Sequence, residues 1–333
     1  MTTEHQKWLD LTVEEALEPD LPICDPHHHF WDRPDDRYFL DDLLEDLSGG
    51  HNIVRTVFIE CRSMYRKDGP EDLKSLGETE FVQGIAAQSA SGRPGGTDVA
   101  AGIVAFADLA LGAEVERMLE AHQAASRRFR GVRQITAFDA SADVPRPRPF
   151  PEGLLGDAKF REGFGVLEKL GLSFDAYLYH PQLHEVAELA NAFPGVTIIL
   201  NHVGGPLGVG PYAGKRDQVF QGWQKSMAAV AECPNVVVKV GGLVMPVCGF
   251  DWHERPLPIT SRELARGTAP YYLSCIEQFG ADRCLFESNF PVDKVACSYT
   301  VLWNAFKRLT HDFSASDRAA LFHDTAARVY QLS

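Results

Sequence analysis

Along the chain, short apolar runs rich in β-branched residues alternate with longer stretches in which apolar positions recur every three or four residues. Eight runs read as strands, at 21–31, 53–61, 100–110, 129–139, 172–180, 196–204, 235–243 and 283–291. Helical spacing fills 114–125, 184–193 and 219–232, and the tail from Tyr299 onward reads as terminal helices. Strand and helix in alternation predict βα units around a parallel sheet. Eight such units predict an α/β fold, a (β/α)8 TIM barrel in a single domain over 1–333, with 1–20 an N-terminal extension and 299–333 C-terminal helices. Pro- and Gly-rich pieces at 91–97, 144–153, 203–214 and 245–258 are predicted loops. Several directly follow strands, where this fold builds its catalytic face.

Composition narrows the function. The 333 residues are 45% hydrophobic and 23% charged, enough to bury the core of one barrel of about 250 residues with long loops. A formal net charge of −14 argues against nucleic acid, which is held by cations that displace its counterions. It leaves room for a small anionic substrate, because a few local arginines set the potential inside a pocket. The seven cysteines are scattered without a C-x-x-C pair, which fits reduced thiols in a cytoplasmic protein. The first twenty residues hold no apolar stretch and no later run reaches spanning length, so no membrane partner is expected. A small-molecule substrate is the expected partner, and a homo-oligomer is compatible with the sequence.

The chemistry gathers where predicted strands end. In Asp25-Pro26-His27-His28-His29 the two-residue strand period puts Asp25, His27 and His29 on one face and His28 on the other. Neutral imidazoles on one rigid strand make a ready pair of metal ligands. His180 and His202 end the fifth and sixth predicted strands, and in a closed barrel those ends surround one axis. Arg62 and Arg133 are placed to bind a substrate carboxylate through their planar guanidinium. Arg130 lies three positions from Arg133, so only one of the two points inward. Lys239 sits inside an apolar run, where a buried amine needs a partner or a function. Glu60 ends the second strand. Trp31, Tyr65, Trp252 and Phe290 are candidates for an apolar wall beside a ring-shaped substrate. Neither a dinucleotide fingerprint nor a P-loop is present.

Five segments, D-P-H-H-H-F-W-D at 25–32, F-R-G-V-R at 129–133, Y-H-P-Q-L at 179–183, N-H-V-G-G-P at 201–206 and F-E-S-N-F-P at 286–291, carry a resemblance. The chain resembles the amidohydrolase superfamily, in the branch of TIM-barrel hydrolases that includes sugar-acid lactonases and the 2-pyrone-4,6-dicarboxylate lactonase. The resemblance implies that His27 and His29 are the paired histidines of the first strand and that His180 and His202 are the later ones, together a candidate site for a divalent metal, zinc or manganese. Lactonases of this branch also work without metal, so both forms stand. Where the family carries S-D-x-P on the last strand, this chain has Ser288-Asn289-Phe290-Pro291. An asparagine cannot take a proton from water. Glu287, two positions earlier, is the first candidate for the missing carboxylate, followed by Asp293 on the next loop and Glu60. The resemblance implies a hydrolase that opens a lactone or related cyclic ester, of a carboxylated or aromatic-derived small molecule. Amide hydrolysis, nonoxidative decarboxylation or lactone isomerisation on the same barrel, and a base-less binding protein, are the alternatives.

Overall fold

The computed structural model describes residues 3–34, 36–92 and 95–332. Positions 93 and 94 of the loop expected at 91–97, the first two residues of the N-terminal extension, and residue 333 lie outside the described residues. Eight parallel strands form one sheet in chain order: β1 (Pro22–His28), β2 (Asn52–Ile59), β3 (Asp98–Ala105), β4 (Phe129–Ile135), β5 (Ser173–Tyr177), β6 (Ile198–Leu200), β7 (Val236–Val240) and β8 (Cys284–Phe286). A helix follows each: α1 (Leu40–Leu47), α2 (Leu76–Ala90), α3 (Val115–Ala125), α4 (Ala158–Leu170), α5 (Leu183–Ala192), α6 (Arg216–Ala231), α7 (Ser261–Phe279) and α8 (Tyr299–Leu309). This is the (β/α)8 barrel that the alternation predicts. Among the described residues no helix is long and apolar enough to cross a membrane, and the seven cysteines are buried and unpaired.

Two differences from the sequence expectation have local causes. The helices α1, α2, α4 and α7 did not stand out in the pattern. In α2, Glu78, Thr79 and Ser89 share the buried face with leucine and valine, and α7 carries Pro270 in its interior, so apolar periodicity is diluted in both. The strands also end earlier than expected, at Ile59, Ile135, Leu200 and Phe286 among others. Beyond those points Arg62, Met64, His202, Val203 and Asn289 take positive φ, which removes the backbone from the extended region. The sheet stops where side chains turn toward the barrel mouth.

Closure depends on β1 and β8. The ladder there shrinks to one bridge between His28 and Phe290, with the His29 N–H donating to the Phe290 carbonyl at 2.8 Å. The buried Asp25 carboxylate does the rest. It accepts from Ser288 N at 3.0 Å, Ser288 Oγ at 2.6 Å and Tyr299 OH at 2.9 Å, tying β1 to the end of β8 and to α8. Burial pushes its pKa up to about 6 against the pull of these hydrogen bonds. Inside the barrel, Cys24, Val57, Ile59, Val104, Ile199, Val237 and Leu285 form an apolar cluster that Tyr330 and Leu332 complete from the C-terminal tail. The N-terminal helix Thr3–Leu9 lies on the loops after β7 and β8, with His5 Nε2 3.0 Å from the Lys294 carbonyl and Trp8 Nε1 donating to the Arg255 carbonyl at 3.1 Å.

Asp25→Ala removes the acceptor of three buried donors at this seam, and each unsatisfied buried polar group costs about 1–3 kcal/mol. We expect a loss of roughly 3 kcal/mol or more in urea unfolding, with a smaller loss for Asp25→Asn, which keeps one acceptor. An Asp25→Ala protein as stable as the parent would remove the carboxylate from its role in closure. A second expectation concerns pH. His122, fully buried and 2.8 Å from Thr79 Oγ1, has its pKa pushed down to about 4 by burial. The unfolded imidazole titrates near 6.5, so unfolding takes up a proton between about pH 6.5 and 4. The contribution of this group is complete above 6.5 and is lost as pH falls. In His122→Gln the fall in stability across that window is shallower by up to about 1.4 kcal/mol per pH unit, read from urea midpoints at pH 7, 6 and 5. An unchanged slope would contradict it.

Candidate active site

The strand-one histidines owe their placement to a bulge. Pairing between β1 and β2 slips between Asp25 and His28, and two residues on one strand then oppose one on the other. Asp25, expected on the face of His27 and His29, is turned to the seam instead. His27 and His29 converge, their Nε2 atoms 3.2 Å apart, and His28 turns away onto Thr56 Oγ1 at 2.8 Å. His202, on the turn after β6, brings its ring to 4.7 Å from that of His27. Glu287, at the end of β8, lies between them. Its Oε1 accepts from His202 N at 3.1 Å and lies 2.7 Å from His202 Nδ1, while its Oε2 lies 2.6 Å from His27 Nδ1.

The partners assign the protons. The Ile59 carbonyl, 2.7 Å from His29 Nδ1, can only accept, so that nitrogen carries the hydrogen and His29 Nε2 keeps its lone pair. A carboxylate on His202 Nδ1 does the same for His202 Nε2. Metal-binding histidines are oriented in this way by a carbonyl or carboxylate on the far nitrogen. His27 is more constrained. Lys239 Nζ lies 3.2 Å from its Nδ1 and Arg133 Nη1 lies 3.2 Å from its Nε2, and both neighbours only donate. Burial first, then Lys239 and the other imidazoles, push the pKa of His27 well down; burial and Arg133 do so for His29. These rings are neutral. Glu287 Oε2 is nevertheless left without a hydrogen bond, because His27 Nδ1, though close, is off the line of an N–H. A carboxylate oxygen without a hydrogen bond is a free ligand atom. His27, His202 and Glu287 offer ligand atoms within 4.8 Å of one another, so the donor set fits a divalent metal.

The cations are themselves held. Lys239, on β7, donates to Asp175 Oδ1 at 2.8 Å, and Asp175 also accepts from Tyr330 OH at 2.9 Å and Asn201 Nδ2 at 2.9 Å. Arg133, on β4, donates through Nε to Glu60 Oε1 at 2.9 Å and through Nη2 to the Glu60 carbonyl. Arg130 points out, onto the carbonyls of Arg127 and Phe129. Lys239, which finds its partner in Asp175, and Glu60, a candidate base, thus hold the imidazole layer from beneath and beside it. Trp31 stacks on His29 with ring centroids 5.8 Å apart. Arg62 and Tyr65 line a neighbouring cavity of 560 Å³ with Phe106 and Phe150.

Other expected residues stand elsewhere. His180 is not in the cluster: its N–H donates to the Gly205 carbonyl at 3.0 Å and its Nδ1 accepts from Leu207 N at 3.2 Å, so it ties the β5 end to the loop after β6 and faces a separate cavity beside α6. Asn289 turns its amide from the imidazoles to Asp293 Oδ1 at 2.8 Å. Asp293 is fully buried, its pKa pushed far up by burial, and Lys294 pairs with Asp46 instead. Phe290 packs on Tyr299 and Trp252 on Phe250.

Gly241 and Gly242, which form no dinucleotide motif, shape the site from the end of β7. A Cβ on Gly241 would sit 2.4 Å from Glu287 Cγ, and one on Gly242, at φ +74, would sit 2.5 Å from His202 Nδ1. Glu287 and His202 meet in space that these glycines leave open. Adjacent glycines ending a predicted strand were the available signal.

Known proteins resemble the chain over most of its length. The amidohydrolase family model matches residues 24–332. The protein y4mH of Sinorhizobium fredii is 35% identical over 340 residues, covering 94% of this chain and 99% of its own. An L-fucono-1,5-lactonase of Burkholderia multivorans is 25% identical over 326 residues, covering 92% of this chain and 95% of its own. Among solved structures, a zinc-bound amidohydrolase from Burkholderia multivorans superposes with a TM-score of 0.71 at 23% identity, over 93% of this chain and 99% of the other. Matched from β1 to the C-terminal tail, the chain belongs to the amidohydrolase family.

Proposed function

We propose that the chain is a hydrolase that opens the ring of a lactone or related cyclic ester of a small molecule. The observation that carries this reading is the Glu287 carboxylate between His27 and His202, which restores at β8 the acid that Asn289 lacks. The lactonase relative supports the choice of bond.

His27, His202 and Glu287 would hold a divalent ion, zinc or manganese, which when bound polarises the carbonyl and acidifies water. The chain's own groups divide the remaining work. His29 Nε2, its lone pair fixed by Ile59, accepts the proton of the attacking water. Arg133 and Lys239 supply positive potential beside His27 as charge develops on the carbonyl oxygen. Trp31, stacked on His29, keeps that ring in place. The Arg133 and Lys239 cations against His27 also favour a second form, without metal, in which they replace the ion's charge and His202 Nε2 is free to act as base with Glu287 orienting it.

Proton release from a panel of lactones, esters and amides, with chelator and with added zinc or manganese, tests this. Ring opening of at least one lactone is expected, lost with chelator and restored by the ion. Activity that survives metal removal selects the second form. Turnover of an aromatic acid with no lactone opened would overturn the reading. Glu287→Gln is expected to lower kcat by about a hundredfold or more and to reduce bound metal on elemental analysis; an unchanged rate removes Glu287 from the site. Gly242→Ala, which drives a methyl into His202, is expected to lose activity by about a hundredfold while the cooperative thermal transition is retained. Full activity in that variant would show that His202 need not hold its position.

A further inference from the structure

A second charged cavity lies outside the imidazole cluster. The segment ahead of β1, the start of α7, the end of α8 and the helix Ala315–Ala319 surround a space of 700 Å³. Arg262, Lys307, Arg308, His311 and Arg318 line it against two acids, Glu18 and Asp312. On a chain of formal net charge −14, such a local excess of cations sets a positive potential against the sign of the whole.

Lys307 is the least compensated of these charges. It is 1% exposed, and its ammonium meets only neutral partners: the Leu17 and Glu18 carbonyls at 2.6 and 2.8 Å, and His51 Nδ1 at 2.9 Å. Burial, and then Lys307 itself, keeps the His51 ring neutral by pressing its pKa down to about 4. A buried cation without a counter-ion is costly. The nearest carboxylate, Glu18, is bound instead by both terminal nitrogens of Arg318, at 2.7 and 2.8 Å. Glu18 takes φ +44°, a conformation that costs energy in a residue with a side chain and clusters at ligand sites.

Two further guanidinium groups have donors to spare. Among the described residues Arg262, exposed at the start of α7, has no ion pair or hydrogen bond, and Arg308 donates through Nε alone, to Ser261 Oγ at 2.7 Å. Arg318 Nε is buried without a partner. The residues that follow Arg318 form a π-helical turn, Ala320–Asp324, an irregularity that occurs frequently at functional sites.

We infer that this cavity binds a small molecule by a phosphate group, held between the Arg262 and Arg308 guanidinium groups with the Lys307 charge behind them. The cations come from separate elements, α7, α8 and the helix Ala315–Ala319, so their donors approach from several sides. A tetrahedral phosphate offers three oxygens to such a set, whereas a carboxylate is planar and accepts in one plane. The cavity shares no residue with the hydrolytic centre, so its ligand is a second molecule beside the substrate.

Calorimetric titration of the full chain with pyrophosphate and with malonate, at matched ionic strength, tests the site without requiring turnover. Pyrophosphate is expected to saturate at one per chain, with malonate weaker by at least about tenfold. Arg262→Met and Arg308→Met are each expected to weaken pyrophosphate by about tenfold or more, while Glu287→Gln leaves its binding unchanged. Absence of saturable binding, or binding unchanged in both arginine variants, overturns the proposal. Binding lost in Glu287→Gln also overturns it, because the anion then sits on the imidazole cluster. Malonate binding as tight as pyrophosphate overturns the assignment to phosphate. Arg262 is exposed and has no partner to lose, so its variant decides the matter even where Arg308→Met fails to melt cooperatively.

Discussion

The Asp25 carboxylate is the constraint on which the site depends. Strand β8 has only three residues of ladder, too few to hold its end against β1 by backbone hydrogen bonds alone. Asp25 substitutes side-chain bonds to Ser288 and Tyr299 and so fixes where Glu287, the residue before Ser288, enters the barrel. Its location in turn follows from the bulge, which separates Asp25 from His27. One irregularity in one strand both closes the barrel and aims the first two imidazoles.

Around that seam the interior balances charge layer by layer. Lys239 is neutralised from below by Asp175, which the Tyr330 hydroxyl and Asn201 also support, and Arg133 is neutralised from the side by Glu60. Among the described residues Glu287 remains as a third carboxylate with no lysine or arginine partner, facing the His27 imidazole that burial keeps neutral. Buried charge in this state is costly until a positive group joins it. The surplus sits at the barrel mouth, where a bound cation would compensate it.

Much of this was legible in the chain. Eight β-rich runs gave the barrel, and H-x-H with a later N-H gave the imidazole cluster, because both depend on local periodicity. Glu287 was reachable from the two-residue spacing to Asn289. His180 stands apart from the other imidazoles because a strand-end position says nothing about whether the following turn folds inward, and its Nδ1 accepts from the backbone of the loop after β6. The seam role of Asp25 was hidden by the bulge, which breaks the period on which the face assignment relied.

The paired glycines at the end of β7 have a consequence for how such a barrel diverges. Their missing side chains are the volume in which the carboxylate and the imidazole meet, so a Cβ at the first position collides with Glu287 and one at the second with His202. That quadrant of the mouth is closed to variation. New substrate preference in this scaffold has to be written in the loops after β2 and β4, which reach the cavity from the opposite side and can change length and charge while the floor of the site stays as it is.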